Sequence, residues 1–186
     1  WNVQVLDTTD GRNYTSLQFD SLDMPHIAYI AHQESLLNEF KHAQYDGNQW
    51  NIDTIDNLVG YFGYCNMLIK DDVPYIVYQD DGKLKLVVKT GLNWVETNIT
   101  DMGVKGAWCS ADWKSENTIG VSCYDYDNTD LLYVEHNVGG GTIIKIADNN
   151  GIIGKWTSLD YNSSGLPCIS YYDDGNRTLK FAEYKK

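Results

Sequence analysis

Four stretches of this chain share one rhythm: WNVQVLD ending at Asp7, WNIDTID at Asp56, WVETNITD at Asp101 and TIIKIAD at Asp148. These aspartates lie 49, 45 and 47 residues apart. A second anchor keeps the same register, because PHIAYI, PYIVYQ, IGVSCY and PCISYY align Tyr29, Tyr78, Cys123 and Tyr171. A repeat of this length constrains the fold more than composition can. Each unit must be one supersecondary structure that buries its apolar surface only against its neighbours.

Within a unit, apolar and polar residues alternate in short runs, the pattern of half-buried strands. In the first unit the runs are YTSLQFD, PHIAYIA, LNEFKHAQY and WNIDTID. Turn formers separate them, as at Asp46-Gly47-Asn48, and later units carry Asp80-Asp81-Gly82, Ser163-Ser164-Gly165 and Asp173-Asp174-Gly175. No stretch has helical periodicity. Four strands in a repeat of roughly 40 to 50 residues are the blade of a β-propeller. A twisted four-stranded sheet cannot cover both its faces, so each blade packs between two others. Leu17 and Phe19, Met67 and Ile69, Ala111 and Trp113, and Leu159 and Tyr161 then share one face of the innermost strands.

The fourth unit lacks the outermost run, and WNVQVLD at residues 1–7 has its character. The expectation is an all-β, four-bladed β-propeller of four-stranded antiparallel blades, forming a single domain over 1–186. Its blades are 14–56, 62–100, 107–147 and 156–186 plus 1–7, and strand 1–7 closes the ring by pairing with the C-terminal blade, which removes an exposed edge. The rival architecture is an eight-bladed ring made from two chains. An open half ring would leave blade faces exposed, and the complementary termini count against it.

The string WTSLDYNSSGLPCISYYDDGNRTLKFAEY resembles a repeat of exported β-propeller proteins of microbes. The shared pattern is aromatic-T-S-L, D-S-x-G-x-P, I-S-Y-Y-D, then L-K-F/Y-A-x-Y and G-x-x-W. The first and fourth units match it well, the second keeps PYIVYQDDGKLKLVV, and the third departs furthest. The resemblance implies the propeller fold and a secreted, extracellular or cell-surface setting, and it brings no catalytic motif.

Charge excludes whole classes of partner. A net charge of −12 argues against nucleic acid and anionic membrane surfaces, which are bound through Lys and Arg. No apolar run is long enough for membrane insertion as a helix. A chain that begins at Trp1 reads as a processed mature protein or a trimmed piece of one, and the expectation is an exported protein. Sequons occur at Asn13, Asn98, Asn162 and Asn176.

The candidate ligand site is the loop face where the strand pairs turn. Tyr14, Tyr64, Trp108 and Trp156 begin the four innermost strands and can ring the channel mouth. Tyr61, Asp80, Asp125, Asp173, Asn176 and Arg177 join them from the loops. Rings stack on the C–H faces of sugars while Asp and Asn take up hydroxyl groups, so the expected partner is a glycan. The expected function is non-catalytic, lectin-like recognition. One alternative is an adhesion subunit that binds protein surfaces in a larger assembly. The other is a glycoside hydrolase using Asp112 and Asp160. No cofactor is expected apart from a channel or loop cation such as calcium, for which YDYDNTD at 124–130 is the candidate loop. The four histidines have no common register and read as surface residues. Hairpin spacing sets Cys109 opposite Cys123, a candidate disulfide, with Cys65 and Cys168 as buried free thiols.

Overall fold

A computed structural model describes residues 1–8, 10–32, 38–58, 64–100 and 106–185, with all side chains among them except those of 10–13, 32 and 58. The protein is an all-β, four-bladed β-propeller, with no helix among the described residues. The first blade is β1 (Asp10–Phe19), β2 (Pro25–His32), β3 (Asn38–Tyr45) and β4 (Trp50–Leu58). The second is β5 (Cys65–Lys70), β6 (Val73–Asp80), β7 (Lys83–Thr90) and β8 (Asn93–Asn98). The third is β9 (Ala107–Ser115), β10 (Thr118–Tyr124), β11 (Leu131–Asn137) and β12 (Thr142–Asp148). The fourth has three strands, β13 (Ile153–Tyr161), β14 (Pro167–Asp173) and β15 (Thr178–Glu183). Every blade is an antiparallel meander whose first strand is innermost.

Four consecutive residues on each innermost strand, or at its entry in the case of Tyr64, make the junctions between blades. They are Tyr14-Thr15-Ser16-Leu17, Tyr64-Cys65-Asn66-Met67, Trp108-Cys109-Ser110-Ala111 and Trp156-Thr157-Ser158-Leu159. The third residue accepts a backbone N–H from the next blade: Met67 donates to Ser16 Oγ at 2.9 Å, Ala111 to Asn66 Oδ1 at 3.2 Å and Leu159 to Ser110 Oγ at 3.0 Å. The second residue reaches back. Thr157 Oγ1 lies 2.8 Å from the Trp108 carbonyl and 3.2 Å from that of Ser122, and Cys65 Sγ lies 3.7 and 3.8 Å from those of Tyr14 and Ala28. The fourth residue plugs the face of the blade before it, where Met67, Ala111 and Leu159 are buried.

The core is therefore three interblade layers. Ala28, Ile30 and Phe40 pack on Met67, Ile76 and Tyr78; Leu84 and Leu86 pack with Ile119 and Val121; Leu131 and Tyr133 pack on Leu159, Ile169 and Tyr171. Blades two and three have neighbours on both sides, so β6 and β10 are buried almost continuously. In β14 only alternate residues are buried, because only the face toward the third blade is covered.

The expected pairing of strand 1–7 with the C-terminal blade is not formed. Residues 1–8 form no strand, and β15 is the last strand of its sheet. Side chains hold the segment against the first blade instead. Trp50 donates to Gln4 Oε1 at 3.3 Å, and Asp7 Oδ2 accepts from Tyr29 at 2.8 Å and from Lys41 at 3.1 Å. The same Asp–Tyr–Lys contact ties Asp56 to Tyr78 and Lys85, and Asp148 to Tyr171 and Lys180, each time linking an outer strand's end to the following blade. The first and fourth innermost strands also start earlier than the repeat suggested, at Asp10 and Ile153.

The histidines depart from expectation as well. His26, His42 and His136 are buried, and the side chain of His32 lies outside the described residues. His26 Nδ1 and His42 Nε2 are 3.0 Å apart, with Trp94 edge-on to His42. Burial, reinforced by the neighbouring His26 and Lys89, pushes the His42 imidazole down from 6.5 to about 3. The unfolded chain therefore takes up a proton that the folded chain refuses. The stability that His42 contributes is full well above pH 6.5 and is lost as pH falls from there toward 3. His42 alone should remove about 2 kcal/mol by pH 5. Urea unfolding across pH 5 to 8 checks this. His42→Leu, which copies Leu86 at the matching place of the second blade, should flatten the acid limb.

Gly154 enters the fourth blade with φ +98, and a Cβ there would meet the Leu131 Cα at 2.8 Å. Gly154→Ala should cost about 2–4 kcal/mol through both left-handed strain and the clash. Thermal unfolding reads this as a clear fall in Tm, and an unchanged Tm would contradict the packing.

Candidate functional site

The four residues that begin the junction tetrads form one band of rings. Tyr14 and Tyr64 have centroids 4.1 Å apart, Tyr64 and Trp108 5.3 Å, and Trp108 and Trp156 5.4 Å. Tyr126 lies 5.7 Å from Trp108, and Tyr172 lies 5.5 Å from Trp156. Neither is marked by the repeat's anchor: Tyr172 follows the aligned Tyr171 on β14 and so faces the other way, and Tyr126 lies in the turn after β10.

Tyr14, Trp108 and Trp156 sit on left-handed backbone, at φ 75, 49 and 49. Bulky residues rarely adopt that region. The β-ladder breaks register beside each of them, so each is a bulge that turns its ring away from the pleat. The rings and the Thr15, Cys65, Cys109 and Thr157 side chains line an open hollow of about 240 Å³ at one end of the innermost strands. Trp156 is 61% exposed and Tyr14 39%, whereas Tyr64 is buried. Burial and the Tyr14 hydroxyl push the Tyr64 phenol far above its usual range, so it stays a neutral donor. Lys155 Nζ stands 5.4 Å over the Trp108 ring and is paired with Asp174 at 2.6 Å. The hollow thus offers ring faces, hydroxyl groups and one neutralised cation.

The loop acids do different work. Asp80, Asp125 and Asp173 are buried and brace their own turns. Asp80 pairs with Lys85 at 2.8 Å; Asp125 accepts from the Asp127 N–H and the Asn128 amide; Asp173 accepts from both nitrogens of Asn176 and pairs with Lys180. Hydrogen bonds from Asn176 hold the Asp173 carboxyl down at about 2, with Lys180 adding to them. Arg177 is exposed at φ 56 on the same turn. Tyr61 lies outside the described residues. Among the described residues no group of three or more His, Cys, Asp or Glu side chains is placed to hold a metal ion, and the 124–130 loop spends Asp125 on its own turn. Asp112 and Asp160 belong to neighbouring innermost strands. Burial first, and then the Asp160 charge, raise the Asp112 carboxyl.

No protein-family model and no curated protein sequence matches the chain. Solved structures do. A variant of AofleA from Arthrobotrys oligospora, with three arginines changed to alanine, superposes with a TM-score of 0.68 at 13% identity, over 96% of this chain and 55% of that one. The α-L-arabinofuranosidase PaAbf62A from Podospora anserina, in complex with cellotriose, gives 0.59 at 12% identity, over 94% and 64%. TolB from Acinetobacter baumannii gives 0.57 at 11%, over 95% and 44%. The chain thus spans 44–64% of the length of these proteins, and at such identities the likeness is one of fold.

The disulfide expected between Cys109 and Cys123 is not formed, and all four cysteines are free. The register holds at Ile119–Trp113 and Val121–Ala111 but shifts between Ser122 and Tyr124, so the Trp108 bulge takes Cys109 out of opposition. Cys109 instead fills the tetrad place that Thr15, Cys65 and Thr157 fill elsewhere. Burial raises both thiols, Cys109 to about 12. Ellman titration should return four thiols per chain in denaturant and far fewer in the folded protein. Two in denaturant would mean that a disulfide exists.

Proposed function

We propose that this chain is a non-catalytic recognition module of exported proteins, working outside the cell, that binds carbohydrate on the aromatic band. The single observation carrying this is the band itself: Tyr14, Tyr64, Trp108 and Trp156 converge on one open hollow, with the two end rings exposed. Folding alone gains little from exposed Trp156 on left-handed backbone, whereas a pyranose gains a flat apolar face. The chain's net charge of −12 directs the reading to neutral or cationic sugars, since a polyanion meets a repulsive field. PaAbf62A, which shares the fold, is seen in complex with cellotriose.

A glycoside-cleaving reading rests on Asp112, whose raised carboxyl stands near a second one on the adjacent strand. It is the weaker reading, because Asp112 and Asp160 each bond the next backbone N–H, at 2.7 and 2.6 Å. An adhesion subunit that grips protein surfaces would use the same exposed rings.

The test is a glycan array followed by calorimetry with the best neutral oligosaccharide. Trp156→Ala should weaken binding by about tenfold or more, the scale of a lost stacking contact, while Tm moves little. Arg177→Ala, on the neighbouring turn, should leave affinity unchanged. An empty array, or a Trp156→Ala variant that binds as well as the parent, would overturn the reading.

A further inference from the structure

Matching places in the four blades have very unequal exposure. On the third strands, Phe40, Leu84 and Leu131 are 0% exposed, yet Leu179 at the corresponding place is 82% exposed. One step on, His42, Leu86 and Tyr133 lie at 0–3%, and Phe181 lies at 66%. On the innermost strands Met67, Ala111 and Leu159 are 0–7% exposed, and Leu17 is 52%. The fourth blade's outward face and the first blade's opposite face are therefore built like the faces at the three packed junctions, but neither is covered.

The hydrogen-bonding parts of a junction are present on both faces too. Ser158 takes the place of Ser16, Asn66 and Ser110, the acceptors at the packed junctions, and is exposed. Leu17 takes the place of Met67, Ala111 and Leu159, the donors. Between them the two faces carry the acceptor of one junction and the donor of the next. Beside them β15 ends its sheet while 1–7 runs without a ladder, with Trp1, Val3 and Val5 exposed. Asp7 already stands on Tyr29 and Lys41 as Asp148 stands on Tyr171 and Lys180, the position of an outer strand that belongs to the blade before.

We propose that the occupant of each face is a second copy of this chain: the fourth blade of one copy packs on the first blade of the other, twice, in a two-fold ring of eight blades. A head-to-tail contact between unlike faces closes when the rotation per blade allows it, and two identical contacts related by a dyad satisfy both faces of both copies. Segment 1–7 of each copy then adds to β15 of its partner and completes that blade. The repulsion between two chains of net charge −12 is long-ranged and screened by salt, whereas the buried contact is apolar. Raised salt should accordingly tighten the dimer.

Light scattering after size exclusion and native mass spectrometry of the chain at micromolar concentration should find twice the chain mass. Leu179→Asp with Phe181→Asp should raise the dimer dissociation constant by about a hundredfold or more, as should Leu17→Asp. Circular dichroism and Tm of the variants at dilution should match the parent, because these side chains are exposed in the single copy. Mixing the two variants leaves one intact junction, so a weak one-to-one complex should reappear that neither variant forms alone. A chain that stays monomeric at high salt, a dimer indifferent to both sets of substitutions, or open filaments in place of a closed dimer would each overturn the proposal.

Discussion

The bond from one innermost strand's backbone N–H to the Ser or Asn side chain of the strand before it fixes how two blades meet. Its net worth is modest, about 1 kcal/mol for each such bond. The larger gain lies in the side chain next to it, since fully burying a Met or Leu is worth about 1.5–3 kcal/mol. The polar contact sets the register in which the apolar one can be made. Met67 and Leu159 plug their holes because their own N–H groups are held by Ser16 and Ser110. A single tetrad thus faces three ways: its first residue toward the hollow, its second and fourth toward the preceding blade, and its third toward the following one.

That division of labour links the fold to the site. The residue freed from packing is the first of the tetrad, and the bulge beside it aims the ring outward. Left-handed backbone at a bulky residue costs about 1–3 kcal/mol, and Tyr14, Trp108 and Trp156 each carry it. The junction that follows over-determines the strand and can sustain the strain. The rings then contact one another in sequence around the hollow, so the blades' angular spacing becomes the spacing of an aromatic platform.

The 45-to-49-residue period and the alternating runs made the blades and the shared places of Tyr29, Tyr78, Cys123 and Tyr171 legible in the sequence. The aromatic starts were legible for the same reason. What the alignment could not carry was anything decided between units or by a local break in register. Cys109 and Cys123 are in step on paper, and a one-residue bulge separates them. The loop acids look like ligands because Asp, Asn and Gly suit both turns and sugars, yet Asp173 spends its oxygens on Asn176 and Lys180. His42 reads as polar and exposed until its place is matched to Leu86 and Tyr133, which are core. The pattern of residues 1–7 names a kind of strand but not the sheet edge it meets.

The third unit shows why a weak sequence match need not mean a weak structural unit. Elsewhere an Asp from the preceding outer strand receives both a Tyr hydroxyl and a Lys ammonium, as at Asp148 with Tyr171 and Lys180. In the third blade Cys123 and Leu132 stand at the Tyr and Lys places, opposed in the ladder and both buried. Removing one member of a half-buried polar trio strands the others, whereas replacing the opposed Tyr and Lys together leaves neither a hydroxyl nor an ammonium unpaired between the strands. The change therefore has to be made in both places at once, and it erases the Y…K spelling by which the repeat is recognised. The interblade layer survives, with Cys123 and Leu132 packed among Leu84, Leu86, Val121 and Val134. The unit that looks most diverged has exchanged a polar tie for core, and its tetrad, Trp108 to Ala111, still holds both neighbours through Asn66 and Ser110.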